Sequence, residues 1–235
     1  MPGKQNKILN LIIRAKNEDK EALNDLGDYY FSGIDIKQNY AKALDYFQRA
    51  AMQNYPNAQF NLGLMYENGF GVARDEIIAI DWYTKAAKQH YPPAQFNLAC
   101  IYEKDAATIQ AAIYWYEQAA LRKFPFAQIN LGWLHFNGFG VEKNPELAVQ
   151  WFTKAAEQNI PQAQRHLGHC YRVGLGVEED KATAVEWFKQ AAMLGDAVAM
   201  YNLGCMCQVG EGMTQDSQLA AELLHEAVQL GYDQK

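Results

Sequence analysis

The chain has 235 residues, of which 49% are hydrophobic and 20% charged, and a formal net charge of −6. This acidic balance argues against binding to nucleic acid or to anionic membrane surfaces, because both require a basic surface. No apolar run approaches the roughly 18 residues of a membrane-spanning helix, so no membrane span is expected. The four cysteines occur at irregular positions, which indicates free thiols in a reducing compartment rather than a disulfide framework.

Residues 1–18 predict an N-terminal helix that covers the repeats following it. Its apolar side chains lie between residues 7 and 16 and comprise Ile8, Leu9, Leu11, Ile12 and Ile13. Polar residues interrupt this run and no small-residue cleavage site follows, so the segment does not have the pattern of a secretory signal peptide. We therefore expect a cytoplasmic protein, with secretion into a host cell left open as an alternative.

Residues 19–235 predict a single solenoid domain of six repeats, with units starting near residues 22, 58, 94, 127, 163 and 199. A Leu-Gly pair recurs in five repeats and Leu98-Ala99 replaces it in the third, at intervals of 36 residues with one interval of 33. An Ala lies four residues before each leucine, and in most repeats an aromatic residue lies four residues after it. This spacing places the three side chains on one face of a helix, here called helix A. A period of this length is typical of stacked helical repeats.

A glycine-containing turn follows helix A and leads to a second helix, helix B. Turns such as 68–72 contain the glycine spacing of a phosphate-binding loop, but they follow a helix rather than a strand, which favours a structural role. Helix B is expected to begin after a capping side chain, which in the six repeats is Asn39, Asp75, Thr108, Asn144, Asp180 and Asp216. Each helix B carries a bulky pair such as Trp82-Tyr83, expected in the core, and in five repeats an Ala pair follows. Its predicted last residues, in the left-handed conformation, are Asn54, His90, Lys123, Asn159, Gly195 and Gly231.

These motifs together resemble the SLR (Sel-one-like repeat) family, which is related to tetratricopeptide repeats. The resemblance rests on A-x3-LG-x2-Y, G-x-GV, an Asp or Asn before helix B, Trp followed by Tyr or Phe, an Ala pair and a final Gly or Asn, and it covers residues 22–232. It implies an all-α fold, a right-handed α-α superhelical solenoid of about six helix-turn-helix repeats, with helices A lining a concave face. The third repeat departs from the pattern, because Ala99 replaces Gly and three turn residues are missing.

The residues that define the repeat face the core, so binding must use the variable positions. By analogy with tetratricopeptide repeats, these lie two residues before, two after and five after the repeat leucine. We predict a partner-binding set there, consisting of Phe60, Leu64, Phe96, Ile129, Trp133, Phe136, Arg165, His169, Arg172 and Tyr201. In this interpretation an apolar strip takes the apolar anchors of a partner and the two arginines fix an acidic group. The alternative is that several of the aromatic residues belong to the core and that the arginines are solvated.

Histidines and cysteines of the fifth and sixth repeats offer two chemical alternatives. His166, His169 and Cys170, with Cys205 and Cys207 in the next repeat, could hold zinc, but the usual Cys-x2-Cys spacing is absent. His169 and Cys205 occupy equivalent positions in adjacent repeats, yet no orienting Asp or oxyanion hole accompanies them. No nucleotide-binding or metalloprotease motif occurs. We therefore expect neither an enzyme nor a cofactor, and no metal site.

The function predicted from the sequence is a non-enzymatic scaffold or adaptor that binds a protein or peptide along the concave face. Two alternatives stay open: a bacterial effector or regulatory protein that acts on a host or signalling partner through the same surface, and a periplasmic or envelope-associated interaction protein. No further helix covers the sixth repeat in this sequence. We therefore expect a monomer, or a weak homodimer that forms through the uncapped end.

Overall fold

The protein is all-helical: in the computed structural model, residues 2–233 are described, and they form thirteen α-helices and no strand. Met1 of the predicted N-terminal helix and residues 234–235 of the predicted domain lie outside the described residues. None of the described helices has the length and apolarity needed to cross a membrane. The helices are α1 (Pro2–Lys16), α2 (Lys20–Ser32), α3 (Tyr40–Met52), α4 (Pro56–Asn68), α5 (Glu76–Lys88), α6 (Pro92–Tyr102), α7 (Ile109–Leu121), α8 (Pro125–Asn137), α9 (Pro145–Ala156), α10 (Pro161–Val173), α11 (Lys181–Met193), α12 (Ala197–Val209) and α13 (Ser217–Gln229).

The helices divide into two compact units, of which unit 1 ends at Ala119 and unit 2 begins at Ala120. In unit 1, each of the helices α1 to α5 packs against the next helix along the chain. In unit 2, the same holds for α8 to α12. Within each unit a helix A therefore packs against its own helix B and against the preceding helix, which is the arrangement of a repeat solenoid. The predicted all-α repeat fold is confirmed.

The core of a repeat is built around a helix B ring that lies on the helix A glycine. Tyr83 is fully buried, and a Cβ atom placed on Gly63 would lie only 2.4 Å from its ring. The same close approach joins Gly27 to Phe47, at 2.4 Å. The first member of the bulky pair is different: Trp82 is half-buried. In the first five repeats the second residue of the predicted core pair therefore supplies the fully buried ring, whereas Leu223 and Leu224 of the sixth repeat are only half-buried.

Five of the six predicted N-caps of helix B accept a hydrogen bond from a backbone amide in the first turn of their helix. These are Asn39, Asp75, Asn144, Asp180 and Asp216. Thr108 differs from the prediction, because its hydroxyl donates a hydrogen bond to the Tyr102 carbonyl at 2.6 Å. The shortened third repeat accounts for this difference, since a 3-10 turn over Ala106–Thr108 leads directly into α7.

The left-handed residue predicted at the end of helix B is confirmed in all six repeats, although each helix ends two or three residues before it. The backbone takes a positive φ at Asn54, His90, Lys123, Asn159, Gly195 and Gly231, with values between 58° and 92°. Glu18 has the same conformation after α1, with a φ of 58°. Since Glu18 precedes Asn54 by one full repeat, α1 occupies the position of a helix B before the first complete pair.

The two terminal helices of the fold present different exposed surfaces. Helix α1 buries Leu11 in the core of unit 1, whereas Leu9 of the same apolar run is exposed. Helix α13 leaves Val228 exposed, and it carries the small, exposed Ala221 where α11 has Val185. Val185 is buried because it packs in a core cluster to which α12 contributes. The exposed side chains of α13 are therefore partly apolar, and the homodimer through the sixth repeat stays a prediction.

Candidate functional site: the exposed stripe of helices A

The side chains of helix A that do not enter the core form one stripe along the helix. They lie five, two and one residues before the repeat leucine and two, five and six residues after it. In α4 they are Asn57, Phe60, Asn61, Leu64, Glu67 and Asn68, and in α10 they are Gln162, Arg165, His166, His169, Arg172 and Val173. We call this surface the helix A stripe. All three predicted binding positions belong to it, and the structure adds three more.

The predicted apolar residues of unit 1 are half-buried on this stripe. Phe60 contacts the core ring of Tyr83, with 5.7 Å between ring centroids, and meets Tyr91 edge-on at 5.5 Å. Phe96 packs on Tyr116 in the same way as Phe60 packs on Tyr83, with 5.8 Å between centroids. Leu64 is also half-buried. The sequence left open whether these side chains belong to the core or to a binding surface. Each of them packs against the core and also keeps part of its surface exposed.

Two carboxylates of the stripe are held by tyrosines of the core. The Tyr83 hydroxyl donates to Glu67 Oε2 at 2.6 Å, and the Tyr116 hydroxyl donates to Glu103 Oε2 at 2.5 Å. Burial, together with the adjacent Glu67 carboxylate, raises the pKa of Tyr83 well above its ordinary value. Asn97 adds a bond to the same hydroxyl, from its side-chain amide at 3.2 Å. The two glutamates are therefore fixed in orientation by neutral donors.

A third carboxylate, Asp28, lies on α2 of the same unit. It accepts hydrogen bonds from the side-chain amides of Asn24 and Asn61, at 3.0 Å each. Burial and the nearby Asp25 raise the pKa of Asp28 to about 6, although part of the residue remains exposed. Leu64 lies next to this carboxylate. The helix A stripe of unit 1 is thus a surface of apolar side chains and oriented carboxylates.

In unit 2, aromatic side chains occupy the helix A stripe of α8. Trp133 is exposed and meets Phe136 edge-on, with 5.2 Å between centroids. Its indole N–H donates to His166 Nε2 at 3.2 Å, which fixes the orientation of the ring. Ile129 was predicted to belong to the same exposed set, but this prediction is wrong. It is only 5% exposed and packs in the core cluster around Phe152.

The two predicted arginines form ion pairs within the chain. Arg165 Nε donates to Asp196 Oδ2 at 3.0 Å, and Asp196 also caps the N-terminus of α12. Arg172 pairs with Glu211 at 3.2 Å. Neither arginine is therefore a solvated, uncompensated cation. A partner carboxylate that binds here would have to compete with Asp196 or Glu211.

The other two predicted residues of unit 2 lie on the stripe beside these ion pairs. His169 is placed between the two arginines, and partial burial and Arg172 lower the pKa of its imidazole. Tyr201 of α12 stacks on Tyr232, with 4.2 Å between ring centroids. Since Tyr232 follows α13, this contact fastens the end of the sixth repeat to its own helix A.

The histidines and cysteines of the fifth and sixth repeats do not converge on one point. Cys170 is buried, and burial raises the pKa of its thiol to about 11. His166 accepts a hydrogen bond from Trp133, and burial with the adjacent Arg165 lowers its pKa to about 4. Within residues 2–233 no three His, Cys, Asp or Glu side chains have a metal-binding arrangement. The four cysteines are free thiols.

Sequence reasoning missed the stripe position directly before the repeat leucine. Asn61, Asn97 and His166 occupy it, and each joins neighbouring elements: Asn61 reaches α2, Asn97 reaches α5 and His166 reaches α8. The asparagine that recurs directly before the repeat leucine could have indicated from the sequence that this position matters. Its spacing of three residues from the predicted position two after the leucine places both on one helix face.

These features define an α-helical repeat protein in which the core positions recur and the exposed positions of helices A differ between repeats. The Sel1 repeat matches six segments in succession, at residues 20–55, 56–91, 92–124, 125–160, 161–196 and 197–232. The chain belongs to the Sel1 repeat family. The curated proteins compared with it gave no match.

Solved structures show the same fold. One is c5321, a protective antigen present in uropathogenic Escherichia coli strains that displays an SLR fold; it is 34% identical, with a TM-score of 0.88 over 96% of this chain. The chain spans about half of that protein, covering 49% of its length. A Sel1 repeat protein from Oxalobacter formigenes is also 34% identical, with a TM-score of 0.84 over 90% of this chain and 88% of its own. An immunity protein of Pseudomonas aeruginosa, Pa5087, shares the fold at 20% identity, with a TM-score of 0.56 over 90% of this chain and 81% of its own.

Membership of the family carries a general functional statement. Sel1 repeat proteins generally mediate protein–protein interactions and bind protein partners. The family is of the scaffold type and typically non-enzymatic.

Proposed function

We propose that this chain is a non-enzymatic scaffold or adaptor that binds a protein or peptide segment along the helix A stripe. The observation that carries the proposal is that each helix A has one set of positions that recurs between repeats and another that varies. The core-facing positions repeat the same residue types, whereas the stripe carries Leu64 and Glu67 in α4 but His169 and Arg172 at the same offsets in α10. A surface that varies while its support stays constant is suited to selective recognition.

The chemistry of the stripe supports a macromolecular partner. Aromatic side chains such as Phe60 and Trp133 offer contact area, and their rings are already fixed by the core or by a hydrogen bond. Little side-chain entropy is lost when such residues bind a partner, which is a common property of interface anchors.

The experiment is a capture assay with tagged protein in extract of the native cell, followed by titration of each captured protein in purified form. Leu64→Glu in unit 1 and Trp133→Ala in unit 2 should weaken binding of the captured partner by about tenfold or more, on the order expected for interface anchors. Circular dichroism checks that both variants keep their helicity.

Two substitutions on helix B serve as matched controls. Ile77→Glu and Met193→Ala alter residues that are 81% and 86% exposed, so neither change should disturb the core. Both controls should bind as the parent does. If the partner binds all four variants equally well, the helix A stripe is not the binding surface and the proposal fails.

A second candidate concerns location, and it rests on the Escherichia coli relative. That protein is described as a protective antigen of uropathogenic strains. A role at the cell envelope, with the same stripe as the interaction surface, is therefore our second proposal for this chain. Fractionation of the native cells, with protease treatment of intact cells, tests this proposal. If the protein is fully protected from the protease and is found in the cytosolic fraction, an envelope role is excluded.

A further inference from the structure

The helix A stripe of unit 1 carries several carboxylates and one cation, Lys104, which lies six residues after the leucine of its repeat and pairs with Glu76 of α5 at 3.7 Å. Asp28, Glu67 and Glu103 each lie on a different helix A, namely α2, α4 and the end of α6. Helices α4 and α6 contain no Lys or Arg. In the described part of the chain the hydrogen-bond partners of these three carboxylates are neutral amides and hydroxyls, and none of the three forms an ion pair. None of these three carboxylates is therefore neutralised by an ion pair, and the one cation of the stripe, Lys104, pairs with Glu76 instead.

The charged stripe residues of unit 2 provide the contrast. Arg165 and Arg172 are each neutralised by a carboxylate of the chain, Asp196 and Glu211 respectively. The fold therefore does form ion pairs at this surface where both signs are present. Carboxylates without an ion pair are found on the unit 1 stripe. They favour a basic partner, whereas Arg165 and Arg172 predict an acidic one.

The unit 1 carboxylates are also fixed in place before any partner arrives. Tyr83 and Tyr116 are fully buried core residues, so the bonds to Glu67 and Glu103 start from rigid positions. A group held by a rigid support loses little conformational freedom on binding. Half-buried Leu64 lies on the same helix face as Glu67, which places apolar contact area beside the charge.

Neighbouring groups respond to the same negative charge. Burial raises the pKa of the Cys100 thiol; the hydrogen bond from Tyr116 and the nearby Lys104 act against this rise, and the Glu103 and Glu67 carboxylates add to it. Burial also raises the pKa of Tyr55, with additional contributions from acidic residues of α2 that include Asp28. Carboxylates of α2 therefore act on Tyr55, and carboxylates of α4 and of the end of α6 act on Cys100.

We propose that the occupant of the unit 1 stripe is a peptide segment in which Lys or Arg side chains bind the three carboxylates and intervening apolar side chains contact Phe60 and Leu64. This proposal rests on the proposed function and specifies the chemistry of the partner. Asn61 of α4 donates a hydrogen bond directly to Asp28 of α2, so these successive helices A are neighbours at the surface. Neighbouring helices are about 8–10 Å apart, and an extended peptide advances about 3.3 Å per residue. Cations at every third residue would therefore meet carboxylates on successive helices A.

The test uses three fluorescein-labelled 12-residue peptides in a fluorescence-anisotropy titration against the full chain. The first repeats Lys-Leu-Ala four times, and the other two carry Gln or Glu in place of each Lys. We expect the lysine peptide to bind about tenfold more tightly than the glutamine peptide, and the glutamate peptide to bind more weakly still. Equal binding of the lysine and glutamate peptides would overturn the proposal.

Near-isosteric variants then locate the bound peptide. Glu67→Gln and Glu103→Gln keep an acceptor for the tyrosine hydroxyls, and Asp28→Asn keeps an acceptor for one of the two amides that bind Asp28. Circular dichroism checks that each variant keeps its fold. Each should weaken binding of the lysine peptide by about threefold to tenfold, and binding of the glutamine peptide by less than about twofold. If the variant that combines all three substitutions binds the lysine peptide as tightly as the parent does, the proposal is overturned.

A control variant that loses the same number of negative charges elsewhere distinguishes binding at the helix A stripe from general electrostatic attraction of the peptide to the protein. Asp45→Asn, Asp81→Asn and Glu117→Gln neutralise one carboxylate on each of the helices B α3, α5 and α7. If this triple variant loses as much affinity as the stripe variant, long-range charge alone explains binding and the proposal is overturned.

The experiments distinguish failure of this charge assignment from failure of the proposed function. If the captured partner is lost with Leu64→Glu but binds the neutralised stripe variant as tightly as the parent, only the charge assignment fails. If no stripe substitution affects the partner, the proposed function itself fails.

Discussion

The position of the helix B ring on the helix A glycine can be tested by adding one methyl group, in the variant Gly63→Ala. The new Cβ would lie 2.4 Å from Cε1 and 2.5 Å from Cδ1 of Tyr83. Carbon atoms in favourable contact are about 3.5–4.0 Å apart, so the ring would have to withdraw by about 1 Å. Tyr83 is fully buried and its hydroxyl is bound to Glu67 at 2.6 Å, which leaves the ring little room to move.

Three contributions decide the size of the effect. Overpacking of a dense core costs about 1–3 kcal/mol. Distortion of the hydrogen bond from Tyr83 to the Glu67 carboxylate adds about 1 kcal/mol. In the other direction, Ala is favoured over Gly inside a helix by about 1 kcal/mol. We expect a net destabilisation of about 2 kcal/mol, which for a chain of this length lowers Tm by roughly 4–8 °C.

Thermal unfolding followed by circular dichroism measures the effect, and the sixth repeat supplies a matched control. A Cβ on Gly204 would lie 2.9 Å from Cγ and 3.0 Å from Cδ2 of Leu224, which is a more adaptable side chain than a tyrosine ring. Gly204→Ala should therefore lower Tm by less than Gly63→Ala. If Gly63→Ala were as stable as the parent or more so, helix propensity would outweigh the contact, and the argument that the ring requires glycine would be refuted.

Three further predictions concern charged and titratable groups. Arg165→Ala leaves the Asp196 carboxylate, which is 9% exposed, without its cation; we expect the free energy of unfolding to fall by about 1–3 kcal/mol in urea denaturation, and an unchanged midpoint would contradict this. His166 has a pKa lowered to about 4 in the fold against an ordinary value of 6.5, so the unfolded chain binds this proton first. Stability should therefore fall as the pH decreases from 6.5 to about 4, and His166→Asn should flatten that part of the curve of Tm against pH. Asp28 has the opposite sign, because its pKa is raised from 3.8 to about 6 and the folded chain binds the proton first. Protonation of Asp28 should therefore raise the Tm of the parent as the pH decreases from about 6 to 4, and Asp28→Asn should remove that contribution; a variant that keeps the pH dependence of the parent would contradict the assignment.

The helix pairs and their ends could be predicted because they depend on residues close together in the chain. A cap such as Asp75 binds an amide three residues away, and the left-handed residue Asn54 lies two residues after the end of its helix at Met52. Thr108 shows the limit of this reasoning. Its repeat has lost three residues, and in the structure a 3-10 turn replaces the usual approach to helix B.

The helix A stripe could be predicted only in part, because the side chains at equivalent offsets do not share one environment. Ile129 has the offset of Phe60 but enters the core, since burial depends on which neighbours surround each helix. The ion pairs of Arg165 and Arg172 join residues 31 and 39 positions apart in the chain. Such contacts depend on how one repeat lies against the next, which local spacing does not reveal.

The tyrosines that hold the unit 1 carboxylates limit how this protein could be re-engineered. Repeats are usually treated as modules whose surface can be rewritten while the core is left alone. In this protein the core residue and the stripe residue depend on each other, because Tyr83 binds Glu67 and Tyr116 binds Glu103. In the fourth repeat both equivalent positions are phenylalanine, Phe152 and Phe136. Phenylalanine is the commonest residue at the ring position, and a consensus repeat that combines it with glutamate on the stripe would leave a half-buried carboxylate without its donor. Designers who transplant one of these repeats should therefore transfer both residues of the pair together.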